Sequence, residues 1–316
     1  MQRTAQKAYK KSFSRLGWVL IVSQLLMLGV VWAGEQIYAL FLVIRYPMAT
    51  NADISRMLYD SGGALIAGAL AGIVPCFALG LTPRVKELPG YFLRQRKCLN
   101  WVVVLGSLLL VLGLQNIASL FTIPMELIAN QLNASFYSAY ESATAVSVTP
   151  TMLAYSVLIA PFSEELLYRG FVLQCLKPYG KTFAIVFAAV LFGLMHGNII
   201  QLPMALLCGM PFGYIALEYS LPASILIHAL TNFTAEAVSW LSSADEVAAE
   251  AVNQALFAFG LVALFLCISK LWRPIVTYAR KGYAEKGVIR LLMTSPPIIL
   301  LITYLVVLTG LSIKPI

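Results

Sequence analysis

The chain has 316 residues, of which 60% are hydrophobic and only 11% are charged, and its mean hydropathy is +0.82. Soluble domains carry about 25% charged residues, so the composition excludes an ordinary soluble domain and predicts a polytopic membrane protein. The net charge of +8 is compatible with a nucleic-acid partner, but the way the charge is distributed argues against one.

Along the chain we predict nine apolar segments and an all-α fold, a polytopic bundle of transmembrane helices with eight or nine spans. About 20 consecutive apolar residues are enough to cross a bilayer as a helix. The apolar run after the basic N-terminus is too long for the core of a cleavable signal peptide. The segments cover about residues 17–40, 62–81, 99–122, 151–175, 182–199, 203–219, 222–240, 254–272 and 291–313.

Lys and Arg residues alternate between the two sides of this predicted bundle. They cluster before the first segment and in residues 82–98, 169–181 and 270–290, whereas residues 123–149 contain none. Cytoplasmic loops of membrane proteins are enriched in Lys and Arg. We therefore predict a cytoplasmic N-terminus, cytoplasmic basic segments and an external 123–149 loop, and we expect no nucleic-acid partner.

Three parts of the chain differ in their polar content. Residues 1–149 are predicted to form N-terminal membrane helices, with a Gly68-x-x-x-Gly72 spacing typical of close helix packing. Residues 150–240 concentrate the polar groups and are predicted to form the functional core, and residues 241–316 are predicted to form C-terminal membrane helices. The five cysteines lie in spans or at their cytoplasmic ends, so we expect packing roles and no disulfides.

The run "SEELLYRGF" places Glu164, Glu165 and Arg169 in a segment that otherwise has the composition of a membrane helix. A charge at the bilayer centre costs about 2.5 to 3.5 kcal/mol on insertion scales. Glu165 and Arg169 are four residues apart, so we predict an ion pair on one helix face. Glu164 then has no cation on its own helix.

The chain contains two histidines, His196 and His228, and both lie close to these carboxylates in the sequence. Two antiparallel helices folded about Gly180 would bring Glu164 and His196 to the same depth, because each is sixteen residues from the turn. Asn232 follows His228 by four residues and so shares its helix face. Glu236 lies four residues further on, and the depth of His228 is left open.

A carboxylate with two imidazoles is suited to activating water, and histidine and asparagine donors can stabilise an oxyanion. The same groups could instead hold a divalent metal such as zinc, with Glu164, His196 and His228 as candidate ligands. Glu–His chains also occur in proton-coupled transporters, and a Glu–Arg pair alone can be structural. A non-catalytic scaffold or immunity protein is a further alternative.

Three motifs occur in order, "EELLYR" at 164–169, "FGLMH" at 192–196 and "HALTN" at 228–232. Their pattern of E-E-x-x-x-R, F-x-x-x-H and H-x-x-x-N resembles that of the CPBP intramembrane proteases, also called the ABI family. This family includes CAAX prenyl proteases and bacteriocin-processing or self-immunity enzymes. The resemblance covers about residues 150–240.

The resemblance implies a role for each matched position. Glu164 would be the general base, aided by His196, with Glu165 and Arg169 as a supporting pair and His228 and Asn232 as the oxyanion hole. It implies an intramembrane endopeptidase acting on a membrane-associated or lipidated peptide or protein, either with zinc or by a metal-free glutamate mechanism. We expect an integral protein of a bacterial plasma membrane.

Overall fold

The computed structural model describes residues 3–80, 97–283 and 286–316, and it confirms the all-α fold. One pair of two-residue strands, β1 (Ala134–Ser135) and β2 (Lys314–Pro315), is antiparallel. The helices in chain order are α1 (Arg3–Arg45), α2 (Asn51–Tyr59), α3 (63–80), α4 (Trp101–Ser119), α5 (Thr122–Gln131), α6 (Tyr137–Thr144), α7 (150–179), α8 (Lys181–Met195), α9 (Gln201–Glu218), α10 (Leu221–Ala244), α11 (Glu246–Lys281), α12 (Lys286–Met293) and α13 (Pro296–Gly310).

Helix α7 is not a uniform α-helix. Thr149 caps its start by accepting a hydrogen bond from the Met152 amide at 3.2 Å, and Pro150 occupies the first turn, where its missing N–H costs nothing. Two π-helical segments, Tyr155–Ile159 and Leu166–Val172, interrupt the α-helical geometry. Such segments are rare and occur frequently at functional sites.

The turn between α7 and α8 is made at Gly180, whose φ of 141° lies where side chains are disfavoured. The two helices that it joins are antiparallel, as predicted. The rings of Tyr168 and Phe192, each twelve residues from Gly180, have centroids 5.5 Å apart. The turn thus brings residues equally distant from Gly180 to similar depths.

Small residues allow two close helix approaches. A Cβ at Gly72 would lie 3.1 Å from the Met27 Cβ, so the predicted close packing of this helix is confirmed, with α1 as its partner. Helices α4 and α11 approach at Gly113, where a Cβ would lie 2.7 Å from the Gly260 Cα. These contacts leave no room for a side chain.

Three helical stretches within the described ranges are long and apolar enough to cross a membrane, namely Gln6–Arg45, Trp101–Gln131 and Glu246–Lys270. Two bent helix pairs would raise this number to five. The expected eight or nine spans are therefore not confirmed. Helix α8 has only 15 residues, and α10 carries several polar residues, which lowers its hydropathy.

Contacts at one end of the bundle join segments predicted to be cytoplasmic. Tyr9 near the N-terminus packs edge-on to Tyr179 with ring centroids 4.9 Å apart. Lys97 and Lys181 bind the Glu218 carboxylate at 3.3 and 2.7 Å. Most of the predicted basic loop 82–98 lies outside the described residues.

The opposite end contains β1 and β2 together with the α8–α9 connection. Asn198 donates to the Ala139 carbonyl at 2.9 Å, and the Ile199 amide donates to Ser312 at 3.1 Å. The 123–149 loop, predicted to be external, thus lies at the end away from Lys97. The assignment of either end to a compartment stays a prediction.

We expect thiol labelling to separate the two ends. Tyr137 is 63% exposed and Cys98 is exposed at the other end. A thiol introduced by Tyr137→Cys in a Cys98→Ser background should react with a membrane-impermeant maleimide in intact cells. Cys98 of the wild type should react only after permeabilisation. Labelling in the reverse order would contradict the predicted topology and indicate the opposite orientation.

Candidate active site

A buried ion pair lies at the centre of the cluster formed by α7, α8, α9 and α10. The side chains of Glu165 and Arg169 are both 0% exposed, and Arg169 Nη1 lies 2.9 Å from Glu165 Oε1. The pair predicted from the four-residue spacing is confirmed. An unpaired charge at this position would be strongly destabilising.

Aromatic rings and one carbonyl surround the Arg169 guanidinium. Its centre lies 4.3 Å from the Phe192 ring centroid and 5.4 Å from that of Phe212, which are distances typical of cation–π contacts. Its Nη2 donates to the Gly209 carbonyl at 3.2 Å. A Cβ at Gly209 would lie 2.9 Å from the Ala189 Cβ, so glycine permits this approach of α9.

Glu165 also accepts hydrogen bonds from α10. Ser224 Oγ lies 2.6 Å from Glu165 Oε2, and His228 Nδ1 lies 3.1 Å from Oε1. Ser224 is not among the residues predicted from the sequence. Its position four residues before His228, on the same helix face, is the signal that could have identified it.

Glu164 differs from its neighbour in exposure and in its contacts. Its side chain is 19% exposed, and its Oε2 lies 3.8 Å from His228 Nε2. His228 is therefore placed between the two carboxylates, with one ring nitrogen towards each.

Aromatic residues fix the His228 ring. It stacks on Phe212 with centroids 4.6 Å apart at an interplanar angle of 19°, and it lies edge-on to Phe192 at 5.8 Å. The residue is only 6% exposed. Phe192 belongs to a sequence motif but has no predicted role, and Phe212 is not among the predicted residues.

His196 lies at the C-terminal end of α8, where its Nδ1 is 2.8 Å from the Phe192 carbonyl. A carbonyl can only accept, so Nδ1 carries the proton and Nε2 of the neutral ring is an acceptor. Among the described residues, Glu164 has its nearest imidazole nitrogen in His228 and no hydrogen bond to His196. The Phe192 ring lies edge-on to both histidines, at 5.0 Å from His196.

Asn232 holds α10 to the first π segment of α7. Its Nδ2 donates to the Ser156 carbonyl at 2.8 Å. An amide NH₂ group has two protons, so this bond leaves one N–H for another acceptor. Whether that acceptor is an oxyanion, as the resemblance implies, stays a prediction.

Every fourth residue of α10 makes a polar contact with α7 or with the residues just before it. We call this set the α10 polar stripe. The contacts run in antiparallel order, from Glu165 back to Ser147. The members of the stripe are Ser224, His228, Asn232, Glu236 and Trp240.

The three candidate metal ligands do not form a ligand set. In residues 3–80, 97–283 and 286–316, no group of three or more His, Cys, Asp or Glu side chains is close enough to hold a metal ion. Glu164 and His228 approach one another, but His196 does not join them. Structural and catalytic zinc sites use at least three protein ligands, so the donor set does not fit zinc.

Residues 146–234 match the family described as Rce1-like, type II CAAX prenyl endopeptidase. The match includes all three motifs and agrees with the resemblance to CPBP proteases. It indicates a CAAX-protease-like peptidase, and together with the apolar helices it indicates an integral membrane protein. No curated protein and no solved structure matches the chain significantly.

We expect Glu165→Gln to reduce stability as well as activity, because it leaves Arg169 buried without its counter-ion. Breaking one partner of a buried pair costs about 3 to 5 kcal/mol. Thermal melting in detergent measures the loss. The matched control is the double variant Glu165→Leu with Arg169→Met, which removes both charges and should recover part of it. A single variant that melts like the wild type would contradict this account.

Proposed function

We propose that this protein is an intramembrane endopeptidase that hydrolyses a peptide bond of a membrane-associated or lipidated peptide or protein. The Rce1-like domain at residues 146–234 supports a CAAX-protease-like reaction. One observation carries the mechanism. Of two adjacent carboxylates, Glu165 is fully buried, pairs with Arg169 and accepts hydrogen bonds from Ser224 and His228. Glu164 is partly exposed and lies beside His228.

Glu164 is the general base of this proposal. It takes a proton from water as the water oxygen attacks the carbonyl carbon, and it then gives this proton to the leaving amine as the C–N bond breaks. His196 Nε2, the acceptor nitrogen of its ring, can accept a hydrogen bond from the other O–H of the water and so orient it. The carboxyl product retains the oxygen from water.

His228 and Asn232 stabilise the oxyanion that forms during attack. In the imidazolium form both ring nitrogens of His228 donate, so Nδ1–H binds Glu165 while Nε2–H is available to the oxyanion. The second N–H of Asn232 is the other donor. Donors fixed before the reaction supply stabilisation without reorganisation, and the bond of Asn232 to Ser156 fixes one of them.

Glu165 and Arg169 act through His228. The carboxylate of Glu165 keeps Nδ1 protonated and orients the ring, as a carboxylate partner of a catalytic histidine does. Arg169 in turn fixes Glu165. These two residues are therefore positioning residues, and they do not contact the reacting atoms.

We expect Glu164→Gln and His196→Ala to lower the cleavage rate while the protein stays folded. The amide of glutamine keeps the shape of Glu164 but cannot take a proton from water, and loss of a general base costs about a hundredfold to ten-thousandfold. Cleavage of a membrane peptide library, with farnesylated and unmodified forms of each peptide, measures the effect.

Glu35→Gln is the matched control, because it makes the same change at an exposed glutamate of α1. It should leave the rate unchanged. Full turnover by the Glu164→Gln protein would exclude this mechanism and favour a non-catalytic or transport role. Preference for the farnesylated peptides would identify a lipidated substrate class.

Asn232→Ala should be milder than loss of the base, because His228 remains as an oxyanion donor. One such donor is worth about 2.7 to 4 kcal/mol at most. The decrease should appear in kcat, since the interaction strengthens in the transition state. Wild-type kcat in the Asn232→Ala variant would show that Asn232 is not an oxyanion donor.

Exhaustive chelation should leave activity intact, because the described residues do not assemble three ligands. The measurement compares cleavage before and after treatment with a zinc chelator in detergent. Loss of activity that zinc restores would contradict the metal-free mechanism. It would identify the histidines as ligands.

A further inference from the structure

Glu236 lies on the α10 polar stripe one turn beyond Asn232, and the proposed reaction does not use it. Its carboxylate accepts two hydrogen bonds from a single residue, from Ser147 Oγ at 2.6 Å and from the Ser147 amide at 3.2 Å. In the part of the chain that the structure describes, no Lys or Arg pairs with it. Each of the two carboxylate oxygens accepts from one donor.

Ser147 is held by α10 through three different groups. It is 6% exposed, and its carbonyl accepts a hydrogen bond from Trp240 Nε1 at 3.2 Å. Its single hydroxyl hydrogen points to the Glu236 carboxylate, the stronger acceptor. The Ser147 oxygen then accepts from Ser156 Oγ at 3.2 Å, and the single hydrogen of Ser156 is shared with the Leu153 carbonyl at 3.3 Å.

This chain of contacts returns to the proposed catalytic residues. Ser156 belongs to the π segment Tyr155–Ile159, and its carbonyl accepts the hydrogen bond from Asn232. The Ser156 carbonyl, which orients the Asn232 amide, therefore belongs to the same residue whose hydroxyl contacts Ser147. Glu236 and Asn232, one turn apart on α10, hold Ser147 and Ser156, whose hydroxyl oxygens lie 3.2 Å apart.

We propose that Glu236 is a positioning residue for Asn232. By fixing Ser147 it fixes Ser156, and the Ser156 carbonyl then sets the plane of the Asn232 amide and the direction of its second N–H. This inference rests on the proposed function, because it assigns a role within that reaction.

The surroundings of Ser147 give this segment room to move. A cavity of about 450 Å³ is lined by Ser147, Thr149, Leu153 and Trp240, among others. Without the Glu236 carboxylate, the residues before α7 lose two of the bonds that hold them beside this cavity. A displacement of about 1 Å at a site remote from the chemistry can cost about a hundredfold in rate.

The first test is a graded series of variants measured with the peptide that the wild type cleaves best. Glu236→Ala removes both bonds and should lower kcat by about tenfold to a hundredfold, with KM unchanged. Glu236→Gln keeps one acceptor and should fall between Glu236→Ala and the wild type. Ser147→Ala removes the hydroxyl that contacts both Glu236 and Ser156, so it should lower kcat at least as much as Glu236→Ala.

Thr149→Ala is the matched structural control, because it removes the cap of the same helix without touching the contacts of Ser156. It should lower the melting temperature and leave kcat unchanged. Equal losses of kcat in Thr149→Ala and Glu236→Ala would overturn the proposal. Glu236 would then act only as a structural cap.

A double-mutant cycle tests whether Glu236 acts through Asn232. If it does, Glu236→Ala should have no further effect in the Asn232→Ala background. Multiplicative losses of kcat would show two independent contributions and would overturn the proposal.

A readout without activity separates this inference from the proposed function. In protein labelled with ¹⁵N-asparagine, the side-chain resonances of Asn232 are identified by their loss in Asn232→Asp. They should shift in Glu236→Ala and stay in place in Thr149→Ala. Unchanged resonances in Glu236→Ala would overturn the positioning role, even in a protein that cleaves peptides. Absence of wild-type cleavage would instead count against the proposed function alone.

Discussion

The arrangement of the central helices depends on one buried ion pair, Glu165 with Arg169. A guanidinium with 0% exposure is tolerated only where a carboxylate, a carbonyl and aromatic faces replace its water. These partners come from α7, α8 and α9, and Glu165 also binds α10 through Ser224 and His228. The pair therefore sets the register of four helices at one depth.

That register separates the two adjacent carboxylates. Consecutive residues of a helix point about 100° apart, so when Glu165 faces its buried partners Glu164 is turned away from them. The imidazole of His228 reaches both, through Nδ1 at 3.1 Å to Glu165 and Nε2 at 3.8 Å to Glu164. One carboxylate thus orients the ring, and the other remains available to water.

Local contacts were predictable from the sequence, and distant ones were not. The four-residue spacing predicted the Glu165–Arg169 pair, and the turn at Gly180 predicted antiparallel α7 and α8. The position of Glu164 beside His228 was not predicted from its depth, because the π segments of α7 change the direction of its side chains. Contacts such as Ser147 with Glu236, 89 residues apart, leave no periodic signal in either segment.

The π segment at Tyr155–Ile159 makes α7 less regular, but it orients Glu164 for the proposed reaction. In a regular α-helix Ser156 and Glu164 would point about 80° apart, and one additional residue in a turn reduces this angle to about 20°. Regular α-helical hydrogen bonds over the same residues would strengthen the helix, yet they would turn Glu164 by about 100° relative to Ser156 and away from α10. The less regular backbone geometry is therefore the one that places Glu164 beside His228.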